Sequence, residues 1–158
     1  MEEAANTIRD AVEAAQLGGA GEPGTPRHKL LETAGELANL LDRFATATSS
    51  HSQKDMINIS KEVSSVVGSL VDSANALSAH SPHLKDQENL ISEWSSAAVK
   101  ARKAAVNLKI HTAMAAASEK DNRVKELEKL NACLDDLAQN VVALTEHAQF
   151  SSLQWVSA

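Results

Sequence analysis

Histidines near predicted helix ends are the residues of this sequence that first suggest metal chemistry. His80 and His83 flank Pro82, and their spacing could supply half of a metal site. A complete site on helices needs further His or carboxylate pairs one turn apart that face the same way. No such partner pair is visible, and two solvated imidazoles near helix ends account for both residues. His111 and His147 are expected on helix flanks, so we predict no bound metal.

Carboxylates and the single cysteine are the remaining candidates for catalysis. A di-iron bundle needs glutamates that are followed by histidine three residues later. That histidine is missing after four glutamates of the predicted bundle: Glu88, Glu93, Glu126 and Glu128. Cys133 is expected beside a helical seam, where a small buried hydrophobe is a simpler interpretation than a reactive thiol. The glycines of residues 18–24 follow no strand and include no phosphate-binding GKS or GKT motif. The sequence therefore predicts neither an enzyme nor a cofactor.

A basic run in the second half of the chain is the first positive sign of a binding surface. Between Trp94 and Ser118 the sequence has no acidic residue but four basic ones: Lys100, Arg102, Lys103 and Lys109. In a chain of net charge −6, this run predicts a local positive patch. The patch could dock an acidic partner such as an actin filament or an anionic lipid. The alternative is a solvated face that pairs with acids of the last helix, such as Asp135 and Asp136.

Composition narrows the class of protein. The 158 residues suffice for one domain with a sizeable core. The net charge of −6 argues against nucleic-acid binding as the main role. Membrane contact is expected to be indirect or peripheral, because no apolar run approaches the ~18 residues that span a bilayer. The acidic N-terminus does not resemble a secretory signal, and a single cysteine fits a reducing compartment. We therefore expect a cytoplasmic protein, either complete or a domain of a longer rod.

Apolar residues at three- and four-residue steps predict an all-α fold. Thr25 and Ser81 are predicted N-caps, each followed by proline at the first helical position. Residues 118–122 are predicted as a polar turn before the last helix. The predicted helices cover approximately residues 2–17, 26–48, 52–79, 82–118 and 123–150.

The predicted helices divide the chain into three parts. A short N-terminal helix and a Gly- and Pro-rich loop occupy residues 1–26, and a bundle occupies residues 27–149. The four long helices favour an antiparallel four-helix bundle, to which the N-terminal helix either adds as a fifth member or forms a partly ordered leader. Residues 150–158 form an apolar C-terminal tail, for which we favour packing on the bundle.

The helix predicted over residues 52–79 differs in composition from an ordinary surface helix. Its apolar stripe is rich in valine, which favours helix only weakly in isolation. Serines occupy much of its polar face, so few ion pairs are expected there. Such a helix depends on tertiary packing. It is either an ordinary buried helix or one that can leave its bundle and be captured by a partner.

This stretch resembles the vinculin-binding helices of the talin rod. Their pattern is an apolar residue, then small pairs, then Val, Leu and Ala positions at three- and four-residue steps. Ile59 is larger than the alanine usual in the family, and the second member of both small pairs is serine. The matching positions are Met56, Ile59, Val63, Val67, Leu70, Val71 and Ala74. The Ala-, Ser-, Leu- and Val-rich texture of residues 27–149 extends the resemblance to a talin-rod or vinculin-family helical bundle.

The resemblance implies a non-catalytic scaffold of cell–matrix adhesion, located at adhesion sites or on the cytoskeleton. It implies that the seven matching residues bind a vinculin-like head and that the basic run contacts an actin filament. The alternative is an intracellular adaptor of the focal-adhesion-targeting type, which keeps its helices in place and binds short amphipathic motifs in surface grooves. A lipid-surface protein that opens on a bilayer is a third class, and the acidic net charge argues against it.

Overall fold

The computed structural model describes the backbone of residues 2–16, 25–50, 52–79, 88–117 and 120–157. Side chains are described for residues 3–15, 25–50, 52–77, 92–117 and 124–146. These parts of the chain form helices and contain no strand, which confirms the all-α prediction. The helices are α1 (Glu2–Gln16), α2 (Pro26–Ser49), α3 (Gln53–Ala79), α4 (Glu88–Ala117) and α5 (Lys120–Ser157).

Local signals explain where α2 and α3 begin. The Thr25 hydroxyl accepts a hydrogen bond from the His28 backbone N–H at 3.2 Å, and Pro26 takes the first helical position. Both features were predicted. An N-cap oxygen satisfies a free N–H of the first turn, and proline at the first helical position has no N–H that needs a partner. At the next corner the Ser52 N–H donates to the Ala47 carbonyl at 2.9 Å. The Ser52 carbonyl then accepts from the Met56 N–H, which opens α3.

The five helices pack as a closed ring around one core. Each helix contacts the next along the chain, and α1 closes the ring by packing between α2 and α5. Five apolar side chains of α1 belong to the same core cluster as those of the other helices: Ala4, Ala5, Ile8, Val12 and Ala15. Of the two alternatives for the N-terminal helix, the structure therefore selects a fifth member of the bundle.

Polar contacts also attach α1 to α2. The Arg27 guanidinium donates to the carbonyl of Ala15 at 3.1 Å, where the last carbonyls of α1 lack helical partners. Burial of this guanidinium lowers the pKa of Arg27 from its ordinary value. Arg9 of α1 forms an ion pair with Asp42 and donates to the Asn39 side chain at 2.8 Å. The Arg27 cation at the end of α1 is also favourable for the helix dipole.

Leucine and alanine make most of the core. Phe44 is fully buried, together with leucines from α2 to α5 and Ile8 of α1. The core face of α4 consists largely of small residues: Ala97, Ala98, Ala101, Ala104 and Ala105. Small residues let neighbouring helices approach closely, which fits the position of α4 against both α3 and α5.

Some predicted boundaries differ from those of the structure. Residues 120–122 belong to α5, so most of the predicted polar turn is helical. The last helix also continues to Ser157, beyond the end of the predicted helix at residue 150. The described part of α4 begins at Glu88, and the predicted cap at Ser81 lies outside the described residues.

Candidate interaction surfaces on α3 and α4

The predicted partner-helix stripe lies on α3 and faces the core. Its seven residues are between 0% and 6% exposed, and Val63 and Leu70 are completely covered. All seven belong to the cluster that includes side chains of the other four helices. A partner helix can therefore reach these residues only after α3 has separated from its neighbours.

Among the described side chains, two ion pairs join α3 to its neighbours. Arg43 of α2 lies 3.4 Å from the Glu62 carboxylate, and Arg102 of α4 lies 3.3 Å from the Asp72 carboxylate. All four side chains are more than half exposed, so water and salt screen both pairs. Exposed pairs of this kind contribute about 0–1 kcal/mol each. Apolar burial is therefore the main attachment of α3.

Two serines of α3 lie within or beside the core. The hydroxyl of buried Ser60 donates to the Ile57 carbonyl at 2.7 Å. The Ser64 Oγ is also shielded from solvent, but it has no hydrogen-bond partner among the described residues. A buried hydroxyl without a partner costs about 1–3 kcal/mol. Ser64 therefore lowers the stability of the packed position of α3.

The four basic residues of the predicted patch are all exposed on α4. Arg102 pairs with Asp72 of α3, not with the acids of the last helix that the alternative interpretation named. No ion pair involves Lys100, Lys103 or Lys109 among the described side chains. These three ammonium groups keep their charge available for a partner.

The structure adds to this patch an apolar component that was not predicted from the sequence. Four large apolar side chains of α4 are exposed by between 46% and 56%: Val99, Val106, Ile110 and Met114. Lys103 falls between Val99 and Val106 at helical spacing, so the five residues follow one another at steps of four, three, four and four. Residues three and four apart are neighbours on a helix surface. We call these five residues the α4 outer face.

The sequence contains the signal for this face, although the core stripe predicted for α4 follows a different one. Trp94, Ala101 and Leu108 belong to that predicted stripe, and they are buried as expected. Val99 and Val106 repeat with the same period but on the opposite side of the helix. A helix that is apolar on two opposite sides is expected to be covered on both of them. Periodicity alone does not decide which side faces the core.

A buried carboxylate joins α4 to α5. Glu126 is only 8% exposed, and one of its oxygens lies 3.4 Å from the Lys129 ammonium. The other oxygen lies 3.9 Å from Nδ1 of His111, and neither of these two atoms has a hydrogen-bond partner among the described residues. This cluster links two helices, and we assign it a structural role.

The remaining candidates for chemistry among the described residues are Cys133, groups of metal-ligating side chains and one cavity. Cys133 is buried on α5, and burial together with Asp136 raises the pKa of its thiol. No group of three His, Cys, Asp or Glu side chains is close enough to hold a metal ion in these parts of the chain, while the side chains of His80, His83 and His147 lie outside them. A cavity of about 50 Å³ is lined by Thr48, Gln53, Met56, Thr112, Ala115, Ala116 and Leu127.

Two further findings concern membrane crossing and similarity to known proteins. Within the described helices, no segment combines the length and the apolar character that crossing a membrane requires. Comparisons with models of protein families, with curated proteins and with solved structures gave no match.

Proposed function

We propose that this protein is a non-catalytic scaffold module of the talin-rod and vinculin type, with a partner-helix site on α3 that is closed in the folded bundle. The observation that carries the proposal is the burial of all seven residues of the α3 stripe, from Met56 to Ala74. The resemblance assigns these positions to binding, and their burial would make that binding depend on opening. The same proposal places the protein in the cytoplasm, at adhesion sites or on the cytoskeleton.

The proposal includes an antiparallel course of the four long helices, as in bundles of that type. Arg43 lies late in α2 and pairs with Glu62 in the first half of α3. His111 lies late in α4 and is 3.9 Å from Glu126, which lies early in α5. Contacts between the end of one helix and the start of the next support helices that run in opposite directions.

Release of α3 is the central step of the proposed mechanism. Force or a competing partner separates α3 from α2 and α4, and the apolar stripe becomes available. Each large side chain that the partner then covers contributes about 1.5–3 kcal/mol. A domain of this kind is typically stable by about 5–15 kcal/mol, so several anchors can offset the cost of opening. The exposed, weakly paired polar face of α3 and the unpartnered Ser64 hydroxyl lower that cost.

The basic residues of α4 supply the second contact of the proposed scaffold. Lys100, Lys103 and Lys109 are exposed and have no ion-pair partner among the described residues. Arg102 shares its charge with Asp72. A patch of this sign suits the acidic surface of an actin filament. Co-sedimentation with actin tests it, and neutralising Lys100, Arg102 and Lys103 together is expected to abolish the binding.

Titration with purified vinculin head tests the α3 site. We expect tight binding to a peptide of residues 54–78 and much weaker binding to the intact protein, because the folded bundle covers the stripe. The informative peptide variant is Leu70→Asp, which places a charge among the anchors. Its matched control is Ser69→Asp, one residue away on the exposed face. If the wild-type peptide does not bind, or if both variants weaken binding equally, the α3 assignment is wrong.

A second candidate function is the adaptor that keeps its helices in place and binds short amphipathic motifs, and the α4 outer face is the observation that favours it. This face is exposed while the bundle is intact, so a ligand needs no opening step. The two functions differ in their effect on Trp94, which is 5% exposed in the core. Such an adaptor leaves the near-UV circular dichroism of the protein unchanged, whereas release of α3 reduces the contribution that Trp94 makes to it.

A further inference from the structure

We propose that the α4 outer face binds an acidic amphipathic helix of a partner protein while the bundle stays folded. The inference rests on the proposed role as an interaction module and adds to the proposed actin contact a helical partner that uses the exposed apolar residues of α4 together with its basic ones. It does not depend on the release of α3.

The geometry of the face fits one helix. From Val99 to Met114 it spans 16 residues along α4, or about 22 Å at the rise of an α-helix. Its apolar side chains form a stripe one residue wide, with Lys103 inside it. A partner helix of about four turns can cover this length, with its own apolar residues at three- and four-residue steps.

The basic residues of the face and its flanks indicate that the partner carries negative charge. Residues 94–118 contain no Asp or Glu, although the whole chain has a net charge of −6. Helical spacing places Arg102 and Lys109 on the side of the stripe toward α3, where Arg102 meets Asp72, and Lys100 on the other side. Carboxylates on both flanks of a partner's apolar stripe would meet cations on both flanks of this one.

Two other occupants fit these observations less well. A second copy of the chain that used the same face around a twofold axis would bring lysines against lysines. An anionic bilayer would be approached by a protein of net charge −6, and the stripe contains none of the aromatic residues that favour the membrane interface. The acidic helix satisfies the apolar and the charged parts of the face together.

The test measures binding of a designed fluorescent peptide to the intact protein by anisotropy. The peptide is a helix of about 15 residues with leucines along one face and glutamates on both flanks. Two control peptides have the same composition in scrambled order, or lysines in place of the glutamates. The protein variants are Val106→Asp with Ile110→Asp, and separately Lys103→Glu. Ser69→Asp on the exposed side of α3 is the matched control, and far-UV circular dichroism checks that every variant folds.

We expect the acidic peptide to bind, and both control peptides to bind at least about tenfold more weakly. Both α4 variants should weaken binding by about tenfold or more, while Ser69→Asp should leave it unchanged. The proposal is wrong if the acidic peptide does not bind, or if the α4 variants bind it as tightly as the wild-type protein does. Binding to phosphatidylserine vesicles without binding to the peptide assigns the face to lipid instead. A dimer in sedimentation that the α4 variants dissolve assigns it to a second copy. A negative result with the acidic peptide does not bear on the α3 site. A negative result with the peptide of residues 54–78 does not bear on the α4 outer face.

Discussion

Replacement of Ser64 by alanine tests whether a partner binds α3 only after the helix is released or already in the folded bundle. The Ser64 hydroxyl is buried without a hydrogen-bond partner among the described residues, so its removal recovers about 1–3 kcal/mol. Alanine also has the better helix propensity, by about 0.5 kcal/mol. We therefore expect Ser64→Ala to stabilise the bundle by about 1.5 kcal/mol or more.

This stabilisation has a defined consequence for partner binding. If vinculin head binds only molecules in which α3 is released, its apparent affinity falls in proportion to the population of the open state. A gain of about 1.4 kcal/mol in the closed state corresponds to about tenfold weaker binding. The assay combines urea unfolding, which gives the change in stability, with a titration of intact wild-type and variant protein.

The control for this experiment is Ser69→Ala, in the same helix but exposed. It gains a similar helix propensity without removing a buried hydroxyl, so the difference between the two variants isolates the hydroxyl. Peptides of residues 54–78 with and without Ser64→Ala show whether the substitution alters the contact itself. Stabilisation of the protein with no loss of affinity would refute the idea that binding requires opening.

The further predictions concern three groups: Glu126, Cys133 and Arg27. Glu126→Met is expected to keep or raise stability by about 1 kcal/mol in urea unfolding, because a buried, incompletely bonded carboxylate is replaced by an apolar side chain of similar size. Burial and Asp136 raise the pKa of the Cys133 thiol, so iodoacetamide should modify the native protein far more slowly than the unfolded one. The stability due to this raised pKa is complete below the ordinary thiol range and is lost as pH rises through the raised value, a loss that Cys133→Ala removes. Arg27→Met removes the hydrogen bond to the Ala15 carbonyl and should cost about 1 kcal/mol, with faster hydrogen exchange in α1 than elsewhere.

Local chemistry explains which parts of the fold could be predicted from the sequence. The Thr25–Pro26 start of α2 and the ends of α3 depend on caps and on breaks in periodicity, which a single segment contains. The seven-residue stripe of α3 is buried because its spacing matches the helical repeat over the whole helix. The place of α1 in the ring was left open, because it depends on contacts with α2 and α5 that no local pattern specifies.

The α4 outer face was not predicted from the sequence, and the reason is physical. The core side of α4 is mostly alanine, whereas Val99, Val106, Ile110 and Met114 lie outside. Each of these larger side chains would gain more from burial than an alanine does. The close approach of α3 and α5 to α4 requires small residues, so geometry selects the alanine side for the core. Large apolar side chains then remain without a neighbour within the described bundle.

Together, the two proposed surfaces predict antagonism between their partners. The α4 outer face belongs to a helix that packs against α3, and if release of α3 also unfolds α4, an acidic helix bound there favours the closed bundle. At a peptide concentration of about 100 times its dissociation constant, this linkage is worth about 2.7 kcal/mol. The apparent affinity of vinculin head for the intact protein should then fall by up to about 100-fold. Titration of vinculin head with and without the acidic peptide measures the effect, and the lysine-flanked peptide is the control. By reciprocity, vinculin head should weaken the acidic peptide by the same factor. If both partners bind without coupling, α4 keeps its helix and its outer face after α3 has left, and the two sites act independently.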